Sequence, residues 1–160
     1  MDIVYIGKIV STHGIKGELR ILSDFEYKDK VFKVGNKLII DGNEYIIKSY
    51  RVHKNFDMVT LNDYKDINEV LFLLKKKVFV LKNDLELDDS EILDDDLLKY
   101  TVLTNDGKKG IIKEIFYASK TNKILRIMLD KEILVPFNSP MIEKIDKNKC
   151  EVIIRLIDGI

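Results

Sequence analysis

One cysteine, Cys150, is present among 160 residues, so the chain holds no internal disulfide and no Cys-x-x-Cys metal site. Cys150 lies in an apolar, strand-like run, where a buried thiol is expected. No apolar run approaches the ~20 residues that a membrane helix needs. No signal peptide is visible, because Asp2 precedes the first apolar run and Gly7 stops it, and a cytoplasmic protein is expected. P-loop, dinucleotide fingerprint and calcium-loop patterns are all missing. The only histidines, His13 and His53, have no nucleophile or paired carboxylate at a recognisable spacing. Catalysis is unsupported, and neither a cofactor nor a metal is expected.

Charge of neither sign prevails, since 27 Lys and Arg offset 27 Asp and Glu. The balance hides a pattern. Residues 1–83 carry a net +4 and residues 97–160 another +4, whereas residues 84–96, DLELDDSEILDDD, carry −8. A block of like charge repels itself and resists folding, so 84–96 reads as an acidic linker between domains 1–83 and 97–160. Such a strap is either a functional tether or a solvated spacer. Each flanking domain is near the lower size limit for an independent core.

What is abundant is β-patterned sequence. Ile6, Ile9 and Val10 lead into a polar turn and Leu19, Ile21 and Leu22 lead out, which predicts a hairpin whose tip is bracketed by Gly14 and Gly17. LSDFEYKDKVFKVG reads as a loop or short turn. Asp41-Gly42 supplies the positive φ values of a tight hairpin. Arg51, His53 and Lys54 form a basic tip before another strand. One helix is predicted after Asp66, a capping residue, with Glu69 completing a capping box ahead of Val70, Leu71, Leu73 and Leu74. Beyond the strap, turn signals at short intervals favour a small barrel. Pro136 and Pro140 stop a strand there, and a last hairpin spans MIEKIDKNKCEVIIRLI.

A β-barrel with glycine-rich and basic loops holds RNA through phosphate contacts and shape, without a catalytic group. The candidate surface is His13, Lys16, Arg20, Arg51, His53 and Lys54, provided that the two tips share one end of the barrel. Tyr27, Tyr50 and Phe56 are candidate stacking rings, although aromatics in such strands more often belong to the core. The competing readings are a pure protein-interaction module and an enzyme using His13, which would meet Glu18 across the hairpin.

IGKIVSTHGIKGELRI followed by SDF, RVHKNF, the capped segment before KKKVFV, the acidic connector, DLL and LVPF together resemble the RimM family of ribosome maturation factors. The resemblance runs along essentially the whole chain. It implies a mainly β fold of two small β-barrels joined by the acidic linker: a translation-factor-like N-terminal barrel with one helix, and a C-terminal PRC-barrel. It also implies a non-enzymatic assembly chaperone, a monomer without cofactor. Its partners would be the immature small ribosomal subunit, whose head and 16S rRNA it helps to mature, and the nineteenth small-subunit ribosomal protein, bound chiefly by the C-terminal half. Thr12, His13, Gly14, Lys16, Gly17 and Glu18 fall on the family's N-terminal signature, and Arg51, His53 and Lys54 on its second basic loop. Asp96-Leu97-Leu98 matches the start of the PRC-barrel, which with Ile92, Leu93 and Tyr100 makes the expected protein-binding set. A tyrosine pair common in the family is Ile92-Leu93 here, so its phenolic hydrogen bonds are absent, and a usual glycine is Lys99.

Overall fold

Strands β1 (Ile3–His13), β2 (Glu18–Leu22), β3 (Lys37–Ile40), β4 (Asn43–His53), β5 (Phe56–Leu61) and β6 (Lys77–Leu81) close a barrel in the order β1-β2-β5-β4-β3-β6. The computed structural model describes residues 2–157. Met1 and residues 158–160, which the sequence-based domains include, lie outside the described residues. Alternation sends Ile6, Leu19, Ile21, Ile40, Val59 and Val78 into one core. Asp41 and Gly42 turn β3 into β4 with φ values of 51° and 79°, as the hairpin signal requires. The loop read between β2 and β3 contains a one-turn helix, α1 (Lys28–Val31), that buries Val31.

The helix expected after Asp66 is instead two successive 3-10 turns, Ile67–Glu69 and Leu71–Leu73. The capping side chains do engage: Asp66 accepts from the Asn68 amide and Glu69 from the Lys65 amide, each at 3.0 Å. Val70, at φ −116° and ψ 0°, separates the turns. A three-residue period sets Val70 and Leu73 on the same side, and both are buried in the barrel core. The segment ends on β1, where the Lys75 amide donates to the Ile9 carbonyl and the Ile9 amide to Lys76.

The second unit contains α2 (Asp94–Leu97) and strands β7 (Thr101–Thr104), β8 (Lys109–Ser119), β9 (Asn122–Met128), β10 (Glu132–Pro136), β11 (Ile142–Asp146) and β12 (Glu151–Ile154). They form a six-stranded sheet in the order β10-β9-β8-β7-β12-β11, around a core that includes Val102, Leu125, Ile127, Val135, Val152 and Ile154. Every neighbouring pair is antiparallel except β12 with β7, which run parallel from Glu151 opposite Thr101 to Ile154 opposite Thr104. The fold is thus mainly β in two sheets.

The two units divide between Glu86 and Leu87. Residues 87–96, part of the segment read as linker, group with the second unit and make polar contacts within it. Asp94 accepts from the Lys123 ammonium at 2.9 Å and the Tyr117 hydroxyl at 2.6 Å, and Lys147 donates to the Asp88 carbonyl. Ile92, at 3% exposure, enters the core with Leu97. Cys150 corrects another expectation, since it is exposed at φ 54° in the turn between β11 and β12. Asp146 accepts from the Asn148 and Lys149 amides and shapes that turn, so Cys150 precedes the strand. No helix among the described residues is long and apolar enough to cross a membrane.

Candidate nucleic-acid interface

The first hairpin carries its register to His13 opposite Glu18 and then turns through Gly14 and Gly17, at φ 69° and 89°. Those values are the left-handed region that glycine enters without a Cβ penalty. A Cβ on Gly17 would also stand 3.4 Å from the Asp66 carbonyl oxygen. The Ile67 amide donates to the Ile15 carbonyl at 2.9 Å and pins this tip to the first 3-10 turn. Lys16 is exposed and Ile15 is 74% exposed at its apex. The β4–β5 hairpin ends with His53 opposite Phe56 and turns through Lys54, at φ 55°.

Pairing of β2 with β5 sets the two tips beside one another, and the His13 and His53 ring centroids lie 5.4 Å apart. The condition for a shared basic surface is therefore met within the first unit. Its cations are nevertheless of two kinds. Arg20 donates to the Thr12 carbonyl at 2.7 Å and the Ser11 hydroxyl at 3.2 Å, bonds the His13 Nδ1, and lies 6.0 Å from the Phe56 ring centroid. Arg51 donates to both Glu18 oxygens at 2.8 Å. Lys16 and Lys54 form no ion pair among the described residues and face solvent. Arg20 and Arg51 organise the tips, and the two lysines present charge outward.

Electrostatics follow this division. The Arg51 hydrogen bond holds the Glu18 carboxyl below its ordinary range, against the opposing effect of burial, and Glu18 raises Arg51 in turn. His53 is pushed below the usual histidine value, first by desolvation and then by Arg51, His13, Lys54 and Arg20. The tip thus resists another positive charge, the field that favours an incoming anion. Of the candidate stacking rings, Tyr27 is buried and Tyr50 stacks on Phe32 at 5.4 Å while its hydroxyl donates to Asp57. Phe56 is half-buried. Sequence reading missed Glu18 as the partner of Arg51, because that contact spans 33 positions.

Residues 4–85 match the profile of the RimM N-terminal domain. The chain is 35% identical to the ribosome maturation factor RimM of Ligilactobacillus salivarius, covering 100% of this chain and 99% of that protein. It is 32% identical to the RimM of Geobacillus kaustophilus over 97% of this chain and 94% of the relative. The chain belongs to the RimM family of ribosome maturation factors. A crystal structure of a Pseudomonas aeruginosa 16S ribosomal RNA processing protein RimM is also similar, with 20% identity, a TM-score of 0.49, and coverage of 99% of this chain and 100% of that one.

Residues 12–18 and the basic loop Arg51–Lys54, which occupy adjoining tips, both lie within the span matched to the RimM N-terminal domain. In the second unit the set marked by the resemblance is dispersed by burial. Ile92, Leu97 and Tyr100 lie in the core, and burial raises the Tyr100 phenol. Leu93 and Asp96 are half-buried, and Leu98 is exposed. Ile92 is thus a core residue, and Leu93 is the residue that immediately precedes α2.

Proposed function

We propose that this RimM-family protein is a non-enzymatic, cytoplasmic assembly factor that binds the immature small ribosomal subunit and favours maturation of its head and of 16S rRNA. The observation that carries this reading is the meeting of two basic hairpin tips at His13 and His53, with Lys16 and Lys54 outward. RNA phosphates would be met by those lysines and, secondarily, by His13, His53 and the exposed backbone around Gly14. Leu98 with the adjoining Leu93 and Asp96 is the part of the second unit left to face a protein such as the nineteenth small-subunit ribosomal protein. The factor acts as a monomer and shifts the head toward one conformation through differential affinity alone.

Sedimentation of the purified protein with small-subunit precursors and with mature subunits, at low ionic strength, tests this. Enrichment on the precursor is the expected result. A protein that ignores both particles, or that turns over a small molecule through His13, would refute it.

A further inference from the structure

Lys8 of β1 and Lys77 of β6 are direct register partners, and both are exposed. Like charges facing across neighbouring strands destabilise a sheet, and neither lysine has an ion-pair partner among the described residues. Lys75, exposed at φ 69°, adds a third such charge at the turn into β6. The carboxylates nearby are already engaged, Asp41 by Lys76 at 2.8 Å and Glu44 by Lys37 at 3.5 Å.

Along the same two strands the outer face becomes aromatic. Tyr5, 51% exposed, is the register partner of Phe79, and their rings meet edge to face at 5.6 Å. Ile3 and Leu81 extend that surface along the next register pair. Ile3, Ile39, Phe79 and Leu81 line an open groove of ≈ 400 Å³, whose rim carries Lys75, Lys76 and Lys77 together with the ion-paired Asp41 and Glu44. The exposed Tyr5 ring, backed by the half-buried Phe79 and set beside unpaired lysines, supplies both requirements of single-stranded nucleic-acid binding, a π-face for bases and cations for the backbone.

We infer that the β1–β6 face of the first barrel, built on Tyr5, Phe79, Lys8, Lys75 and Lys77, is a second RNA contact that takes a single-stranded segment. Lys8 stands five strand steps from His13, about 17 Å, so this platform is distinct from the hairpin tips. The inference rests on the proposed function only in taking RNA as the partner. Tyr5 stacks a base, and the lysine pair is relieved when a phosphate sits between its ammonium groups.

Fluorescence anisotropy of the full chain with a labelled oligouridine and with a labelled RNA duplex tests the platform. The wild type should prefer the single strand. Tyr5→Ala should weaken single-strand binding roughly 5- to 100-fold, whereas Tyr5→Phe stays near wild type. Lys77→Glu gives Lys8 an opposite charge, so it should raise the melting temperature while flattening the salt slope by about 0.7. Undiminished binding by a normally folded Tyr5→Ala protein overturns the inference, even if that variant loses a protein component of the precursor. Loss confined to a Lys16→Glu/Lys54→Glu protein also overturns it, and leaves the hairpin-tip reading standing. A wild type that binds neither RNA overturns both.

Discussion

Arg51 and Glu18 join strands that are not neighbours: the guanidinium on β4 donates two 2.8 Å hydrogen bonds over β5 to the carboxylate on β2. Met58, the register partner of both Arg20 and Arg51, is fully buried on β5 although its neighbours Asp57 and Val59 are the residues turned toward the barrel interior. Long arginine stems give that kind of cover. The bridge braces the tips and at the same time neutralises a cation that would otherwise meet phosphate.

Glu18→Gln is therefore expected to separate stability from binding. The ion pair is half-exposed on the Arg51 side, so its loss should cost about 0.2–1 kcal/mol in chemical denaturation. Affinity for a labelled RNA should rise, because Arg51 is released. Unchanged affinity would mean that Arg51 points away from the bound phosphates.

Lys16→Glu combined with Lys54→Glu should weaken binding to the subunit precursor. The log–log salt dependence should flatten by about 0.7 to 0.9 for each phosphate contact removed. Both side chains are exposed and unpaired, so the melting temperature should not move. An unaltered slope would assign these lysines to solvent alone.

His53 gives a pH dependence whose sign can be fixed. Its folded pKa lies below the ordinary value of about 6.5, so the unfolded chain binds more protons between the two. Stability is in place above that ordinary value and declines as pH falls below it, levelling off under the folded pKa. A bound phosphate reverses the bias, raising the His53 pKa and tightening binding as pH falls through this window. Proton NMR titration of the His53 ring, with and without RNA, reads the shift directly, and a curve unmoved by RNA would exclude His53 from the contact.

Gly17→Ala should be costly although the site lies at a hairpin tip. A φ of 89° lies in the left-handed range, and the added Cβ would stand 3.4 Å from the Asp66 carbonyl oxygen. The cost should be about 1–2 kcal/mol, or several degrees in the melting temperature of a domain this small. Gly14→Ala, with open space around its Cβ, should cost less. Equal losses would show that the approach to Asp66 contributes nothing.

Local signals were legible where neighbours in sequence are neighbours in space. Asp41-Gly42 specified its hairpin and Pro136 ended β10, while Asp66 and Glu69 both cap but engage the Asn68 and Lys65 amides, each one position before the amide that a capping box pairs. The same capping pattern could not reveal that Val70 breaks the helix, because the barrel core decides that point. Ile92 is buried beside Asp94, whose partner Lys123 lies 29 positions away, and composition recorded only the acidic block. The basic tips were readable as residue types. Their juxtaposition, and the capture of Arg51 by Glu18, required strand order β2-β5-β4.

The parallel union of β12 with β7 has a consequence for synthesis on the ribosome. The first barrel has all six strands once β6 has emerged, whereas β7 lacks its second neighbour until residues 151–154 are made. Val152 and Ile154, both fully buried, arrive last in the sheet they complete. A nascent chain would thus carry a finished amino-terminal body while the carboxy-terminal one still exposes an unfilled interior, the interval in which misassembly is most dangerous.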